Sequence, residues 1–261
     1  MNTMPGTVGE MVRGWRQRRR LSQLALAMDA EISQRHLSFV ESGRASPSRE
    51  MVVRLAERLS VPVRERNAML VAAGFAPLYR ERPLDAPELA AARDAVDRIL
   101  QGHLPHPALA VDRHWNLLLA NRAVQMLLTG VSPALLAGPV NVLRLSLHPD
   151  GLAGRILNLH EWRAHLLLRL AHDVERAADP VLADLLEELR QYPVPDGSAA
   201  APVQAGIAVP LVLAGPDGPL SFLSTTTVFG TAVDVTLSEL TVEAFFPADP
   251  QTAAAMAKLV G

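Results

Sequence analysis

The stretch from Leu21 to Ser48, LSQLALAMDAEISQRHLSFVESGRASPS, constrains this chain more than any other part of it. Ser22 is a good helix N-cap, and Leu24, Leu26 and Ala27 place a small apolar face on a helix of about two turns. Asp29, Ala30 and Glu31 then interrupt the apolar pattern, so a turn must follow. Ser33 caps a second helix in which Leu37 and Val40 point inward, leaving Gln34, Arg35, His36, Ser38 and Phe39 available. Gly43 ends that helix. Two short capped helices on a tight turn, the second showing Gln, Arg and Ser from its first turns, match a helix-turn-helix whose second helix enters a DNA major groove.

These residues resemble the phage-repressor and xenobiotic-response-element-like helix-turn-helix regulators. Ser22-Gln23, Leu26-Ala27, Ile32-Ser33, Glu41-x-Gly43-Arg44 and Pro47-Ser48 stand where that family carries the same types, and the likeness runs from Val8 to Ala73. It departs at Glu31, where the family most often has the turn glycine. A left-handed backbone at a non-glycine costs on the order of 1 kcal/mol. The resemblance implies that Gln23 meets a phosphate or a base edge and that Ser33, Gln34, Arg35 and Ser38 form the DNA-reading turn, with Gln34, Arg35 and Ser38 as base readers. Arg44 would clamp a phosphate. The chemistry agrees, because Gln can make two hydrogen bonds to adenine and Arg two to guanine. Phe39 reads equally as an inward packing residue.

Charge divides the chain. Residues 1–80 hold 13 Arg against 7 acids, whereas residues 81–261 hold 12 basic against 20 acidic residues, so a head of +6 precedes a body of −8 and the sum is −2. That asymmetry fits a DNA-reading head on a body that does not bind DNA. Apolar residues make up 49% of the chain, yet no run nears the roughly 18 a membrane helix needs. With no cysteine, the chain forms no disulfide and holds no thiolate metal site or thiol nucleophile. The first ten residues lack the order of a secretory leader, and a cytoplasmic location is expected.

Taken in order, Val8–Arg20 reads as a helix with Val8, Met11, Val12 and Trp15 on one face and five arginines elsewhere, of which one or two could meet phosphates. Ser48–Ser60 and Pro62–Ala73 complete a five-helix, all-α head, assigned to residues 1–76. Regulators of this kind commonly pair across a two-fold axis, so a homodimer on double-stranded operator DNA is expected. Residues 77–87, with three prolines, read as a linker. Residues 88–261 form the second domain. Its expected elements are a helix over Glu88–Gln101, strands over Ala108–Asp112 and Leu117–Ala120, and a helix over Arg122–Leu128. Helices over Leu152–Arg176 and Pro180–Tyr192 follow, then a loop over Pro193–Pro202 and strands over Ile207–Leu213, Leu220–Phe229 and Leu240–Phe246. Two strands, several helices and three strands give an α+β chain whose body is PAS-like, an antiparallel sheet with helices on one face and a pocket between them.

The body also resembles the ligand-binding domain of MmyB-like regulators. The residues concerned are Val111-Asp112, Trp115-Asn116, Asn121-Arg122-Ala123, Asn141-Val142-Leu143-Arg144, His148-Pro149-Asp150-Gly151-Leu152, Asn158, Glu161-Trp162-Arg163 and Phe245-Phe246-Pro247-Ala248-Asp249. The resemblance implies a fatty-acid-like or other apolar ligand. Trp162, His165, Arg169 and His172 recur at three and four, with Leu166 beside them, so Trp162, His165, Leu166 and Arg169 form a candidate ligand-binding stripe. Arg169 or His165 would receive a carboxylate headgroup. Asn158 and Arg163 could instead hold their helix against the sheet.

Catalysis has little support. His160 and His165 are five apart and do not share a helix face, and no His-Glu-x-x-His, Gly-x-Ser-x-Gly, phosphate-loop or dinucleotide pattern occurs. No catalytic residue, metal site or cofactor is expected. The reading is a sequence-specific transcription regulator that senses a small apolar molecule. The alternative is an antitoxin-like or scaffold module that uses the same head for protein interaction.

Overall fold

The computed structural model describes residues 6–193, 209–230 and 234–261. The loop expected after Pro193 and the first residues of the strand expected from Ile207 lie outside them. Residues up to Arg82, with 234–238, form one compact unit, and the remainder forms a second.

The first unit contains α1 (Val8–Arg18), α2 (Gln23–Asp29), α3 (Gln34–Glu41), α4 (Arg49–Arg58) and α5 (Val63–Ala72). Thr7 and Glu10 form a reciprocal capping box on α1, while Ser22, Ser33 and Ser48 each accept the backbone N–H three residues on. One core joins the helices through Val12, Leu26, Leu37, Leu55, Leu59 and Met69, all fully buried. Gly9 sets how closely α1 meets α3: a Cβ there would lie 2.3 Å from the Val40 carbonyl oxygen. The turn between α2 and α3 places Glu31 at φ 56°, the left-handed conformation its position demands.

Chain beyond α5 stays with this unit. Asn67 Oδ1 accepts from the amides of Leu78 and Tyr79 at 2.9 and 3.0 Å, and its Nδ2 donates to Tyr79 O at 2.7 Å. Residues 80–82 are held by the segment from Asp234: the Val235 amide donates to Arg80 O at 2.8 Å, and Arg82 pairs with the buried Asp234 at 3.3 Å.

The second unit runs α6 (Ala90–Gly102), β1 (Ala108–Val111), β2 (Leu117–Ala120), α7 (Arg122–Leu127), α8 (Pro133–Leu136), α9 (Val142–Leu147), α10 (Leu159–Ala177), α11 (Pro180–Gln191), β3 (Leu211–Gly215) and β4 (Gly218–Val228). The short α12 (Val235–Glu239), which belongs to the first unit up to Ser238, leads into β5 (Thr241–Pro247), and α13 (Pro250–Val260) is the last element. The five strands form one antiparallel sheet in the order β2-β1-β5-β4-β3. Pro216 and Asp217 make the tight β3–β4 turn between the paired Gly215 and Gly218. Leu109, Val111, Phe222 and Phe245 face the larger core with α7, α9, α10, α11 and α13, giving a PAS-like antiparallel sheet flanked by helices, most of them on this face rather than all of them as the sequence predicts. On the opposite face, Ala108, Ala110 and Val242 pack a smaller core with Val96 and Leu100 of α6.

The long middle helix begins at Leu159, seven residues later than its apolar pattern predicts. The preceding backbone spends its hydrogen bonds on the sheet edge: Leu157 N donates to Val212 O at 2.8 Å, and Ile156 bridges Leu213. Asn158 fixes the junction, accepting from Val212 N at 3.1 Å and donating to Pro210 O at 2.8 Å. Covering the β3 edge in this way removes a pairing surface that an exposed strand would offer.

Candidate functional site

On the first unit, α3 exposes its opening turn and buries its far face. Ser33, Gln34 and Arg35 are exposed and Ser38 is half-buried, while Leu37, Val40 and Glu41 pack inward. Glu41 supports this surface from beneath. Its fully buried carboxylate accepts from Arg16 Nε at 2.6 Å and Nη2 at 2.9 Å, and from Gln23 Nε2 at 2.8 Å. Burial pushes the Glu41 carboxyl up, but the hydrogen bonds from Arg16 and Gln23, with the charges of Arg16 and Arg13, hold it below the ordinary glutamate value. The bond to Glu41 also raises the Arg16 guanidinium. Gln23 is therefore held at the start of α2 with its carbonyl oxygen and second amide hydrogen available.

The C-terminal end of α3 aims Arg44. Gly43, at φ 71°, reverses the chain so that the Arg44 amide donates back to Phe39 O at 2.8 Å, the long bond of a Schellman motif. Phe39 is half-buried with two cations on its ring, Arg35 at 5.4 Å and Arg44 at 5.8 Å. His36 contacts Met51 of α4 at 3.2 Å. The arginines near α1 also sort themselves. Arg16 serves Glu41, Arg19 donates to Leu59 O and Ser60 O, and Arg13, Arg18 and Arg20 remain exposed.

In the second unit, a cavity of about 100 Å³ lies between the inner face of the sheet and α7, α9 and α10. Its walls are mostly leucine, with Trp115, Trp162, Phe222 and Phe245. Trp115 is presented by the β1–β2 turn at φ 66°. Asp112 Oδ1 accepts the amides of His114 and Asn116, both at 2.8 Å, and Val142 N donates to Trp115 O at 2.9 Å. Asn141 Nδ2 donates to His114 O at 2.8 Å, and the His114 ring meets the buried Asp179 at 2.9 Å. The unusual backbone of Trp115 is thereby fixed from several sides.

Of the four residues of the sequence-predicted stripe, Trp162, Leu166 and Arg169 line this cavity. His165 is half-buried and lies against the outer side of Trp162, ring centroids 5.4 Å apart. Burial, then the charge of Arg169, lowers the His165 imidazole below the ordinary histidine value, against a smaller opposing effect of Glu243. Trp162 Nε1 donates to Ser146 Oγ at 3.0 Å. Arg169 stands over the Trp115 ring at 4.5 Å and is engaged by the protein's own carboxylate: Nη1 donates to Glu243 Oε2 at 3.0 Å and Nη2 to Oε1 at 2.5 Å. Thr226 Oγ1 joins both residues, accepting from Arg169 Nη2 at 2.8 Å and donating to Glu243 Oε1 at 3.0 Å. Arg163 donates to Arg190 O at 2.7 Å and Leu189 O at 3.3 Å, tying α10 to the end of α11.

Sequence reasoning missed Trp115, Glu243 and Thr226 as members of this site. The period of two in β5 carried a signal, since it puts Glu243 beside Phe245 on the inward face, where a carboxylate needs a cation.

Residues 92–259 match the model of the MmyB-like transcription regulator ligand binding domain, and residues 12–66 match that of a helix-turn-helix. The chain belongs to the MmyB-like transcription regulators. The first match contains every cavity-lining residue and the second contains Gln23, Ser33, Gln34, Arg35, Ser38 and Arg44. No curated protein sequence matches the chain. This MmyB-like regulator thus joins a DNA-binding head to a ligand-sensing body, and both matched families are regulatory rather than catalytic. Among the described residues, no group of three His, Asp or Glu side chains could hold a metal ion, and no helix is long and apolar enough to cross a membrane.

Proposed function

We propose that this MmyB-like regulator acts in the cytoplasm as a homodimer on operator DNA and that the cavity beneath Trp115 holds its effector, a small apolar molecule. The observation that carries the reading is an apolar cavity in the same chain as an exposed, cap-stabilised reading turn. In this reading, residues 1–76 form the DNA-binding domain, 77–87 link it to a ligand-binding domain over 88–261, and ligand shifts the head through the linker and the dimer interface. Gln34, Arg35 and Ser38 read bases, Ser33 caps the reading turn, and Gln23 and Arg44 hold phosphates.

The family resemblance implies a fatty-acid-like effector. A volume of about 100 Å³ is below the roughly 300–1,000 Å³ of sites for drug-sized ligands and nearer the ~150 Å³ of an engineered apolar cavity that takes benzene. It houses a compact group as it stands, and an acyl chain enters only if the leucine walls move. Native mass spectrometry of freshly purified protein, followed by denaturation and analysis of what is released, tests the proposal. A dimer carrying an apolar adduct is expected. A bare protein whose operator affinity no apolar extract alters would overturn the sensor half of the reading.

A further inference from the structure

We infer that the cavity selects an uncharged ligand, one that ends in a hydroxyl or carbonyl group rather than in a carboxylate. The inference rests on the proposal that this cavity holds the effector, and it specifies the chemistry of that site. The polar side chains on the lining are Arg169, Glu243, Ser146 and Ser224. The first two cancel in charge: each terminal nitrogen of Arg169 donates to Glu243, and one of them also to Thr226.

A ligand carboxylate therefore finds no free cation. It meets Arg169 only beside Glu243, whose side chain is 5% exposed, so it either adds a second anion to a buried pair or displaces Glu243 and leaves it with Thr226 as its donor. Leaving a buried carboxylate unpaired is far more costly than the gain from an equivalent new pair. Placed elsewhere in the cavity, the ligand's charge would face leucine and tryptophan. His165 does not change this balance, because it stands outside the lining. A neutral ligand meets none of these penalties. Ser146 accepts from Trp162 Nε1 and retains its own hydroxyl hydrogen, and Ser224 adds a second hydroxyl on the inward face of β4.

The test is calorimetric titration of the full chain with matched pairs of six to ten carbons: 1-hexanol and hexanoate, 1-octanol and octanoate, 1-decanol and decanoate, together with methyl octanoate. Chain length cancels within each pair. The alcohols, and the ester that carries the acyl oxygens without their charge, should bind at least tenfold more tightly than the carboxylates. Glu243→Gln removes the competing charge, retains the side-chain shape and should reverse the order. Carboxylates binding as tightly as alcohols to the wild type would overturn the inference while leaving the cavity as the effector site. A natively folded Glu243→Gln that kept the alcohol preference would also overturn it. If that variant fails to fold, the ester against octanoate on the wild type decides. Binding of neither class would remove both the inference and the proposed use of the cavity.

Discussion

Arg35 and Arg44 flank the same ring from opposite ends of α3. Arg35 projects from the first turn of α3, whereas Arg44 lies past its end on the backbone reversal at Gly43. Arg35→Ala should cost about 1–3 kcal/mol at one base position and relax specificity there. Arg44→Ala should weaken all sequences alike and flatten the salt dependence. Affinities for single-base operator variants across a salt series separate the two, and if neither substitution changes binding, α3 is not the reading helix. Beneath them, Glu41→Gln should destabilise the head by about 3 kcal/mol, the low end for a broken buried ion pair, because Arg16 keeps its bond to Leu21 O at 2.9 Å. The wild-type carboxyl sits below its ordinary value, so the unfolded chain binds the proton more tightly. Its contribution is complete above the ordinary glutamate value and disappears as pH falls through the lower folded value. Denaturant titrations at falling pH should show the wild type converging on Glu41→Gln, and parallel curves would count against the assignment. Glu31→Gly relieves the left-handed turn and should stabilise by up to about 1 kcal/mol, the glycine's greater freedom when unfolded offsetting part of the gain. The turn at Glu31 and the exposure of Arg35 were legible from sequence because local chemistry sets them, whereas the buried pair of Glu41 with Arg16 was not, because it joins α3 to α1.

Elements were legible where local preference and tertiary demand agree. Four of the head's five helices start after Ser22, Ser33, Ser48 and Pro62, and α1 starts at Val8, where the sequence places them. The start of α10 was not legible, because Ile156, Leu157 and Asn158 continue its apolar pattern but bond to β3, and no local signal announces a partner some fifty residues away. Glu243 was hidden for a related reason: its value depends on Arg169 and Thr226 from two other elements. The connection between β4 and β5 is a further case. It leaves two strands that line the cavity and ties residues 80–82 through the Arg82–Asp234 pair and the bond from Val235 N. Asp234→Ala removes that pair and the cap on Thr236 N at 3.0 Å, which should cost about 1–3 kcal/mol locally. Amide exchange at Val235, Thr236 and Ser238 should quicken, while operator affinity without effector changes little and the response to effector shrinks. An undiminished response with faster exchange would place the coupling elsewhere.

For the whole molecule, a +6 head and a −8 body describe two surfaces with different partners, and regulation requires that their occupancies be linked. A ligand bound equally well with and without DNA would shift nothing, however tight its binding. Linkage then constrains the sign and size of both effects together. If a saturating effector weakens operator binding by a given factor, saturating operator must weaken effector binding by the same factor, because the two paths around the cycle end in one complex. The expected coupling is about 1–3 kcal/mol, or roughly 5- to 150-fold. Operator affinity measured by fluorescence anisotropy with and without effector gives one factor, and calorimetry of the effector with and without operator gives the other. Agreement of the two would make the chain a single thermodynamic device with sensor and reader in one cycle. Equal operator affinities in the presence and absence of a tightly bound effector would instead assign the cavity to assembly or stability, and the search for the regulating signal would move to another surface.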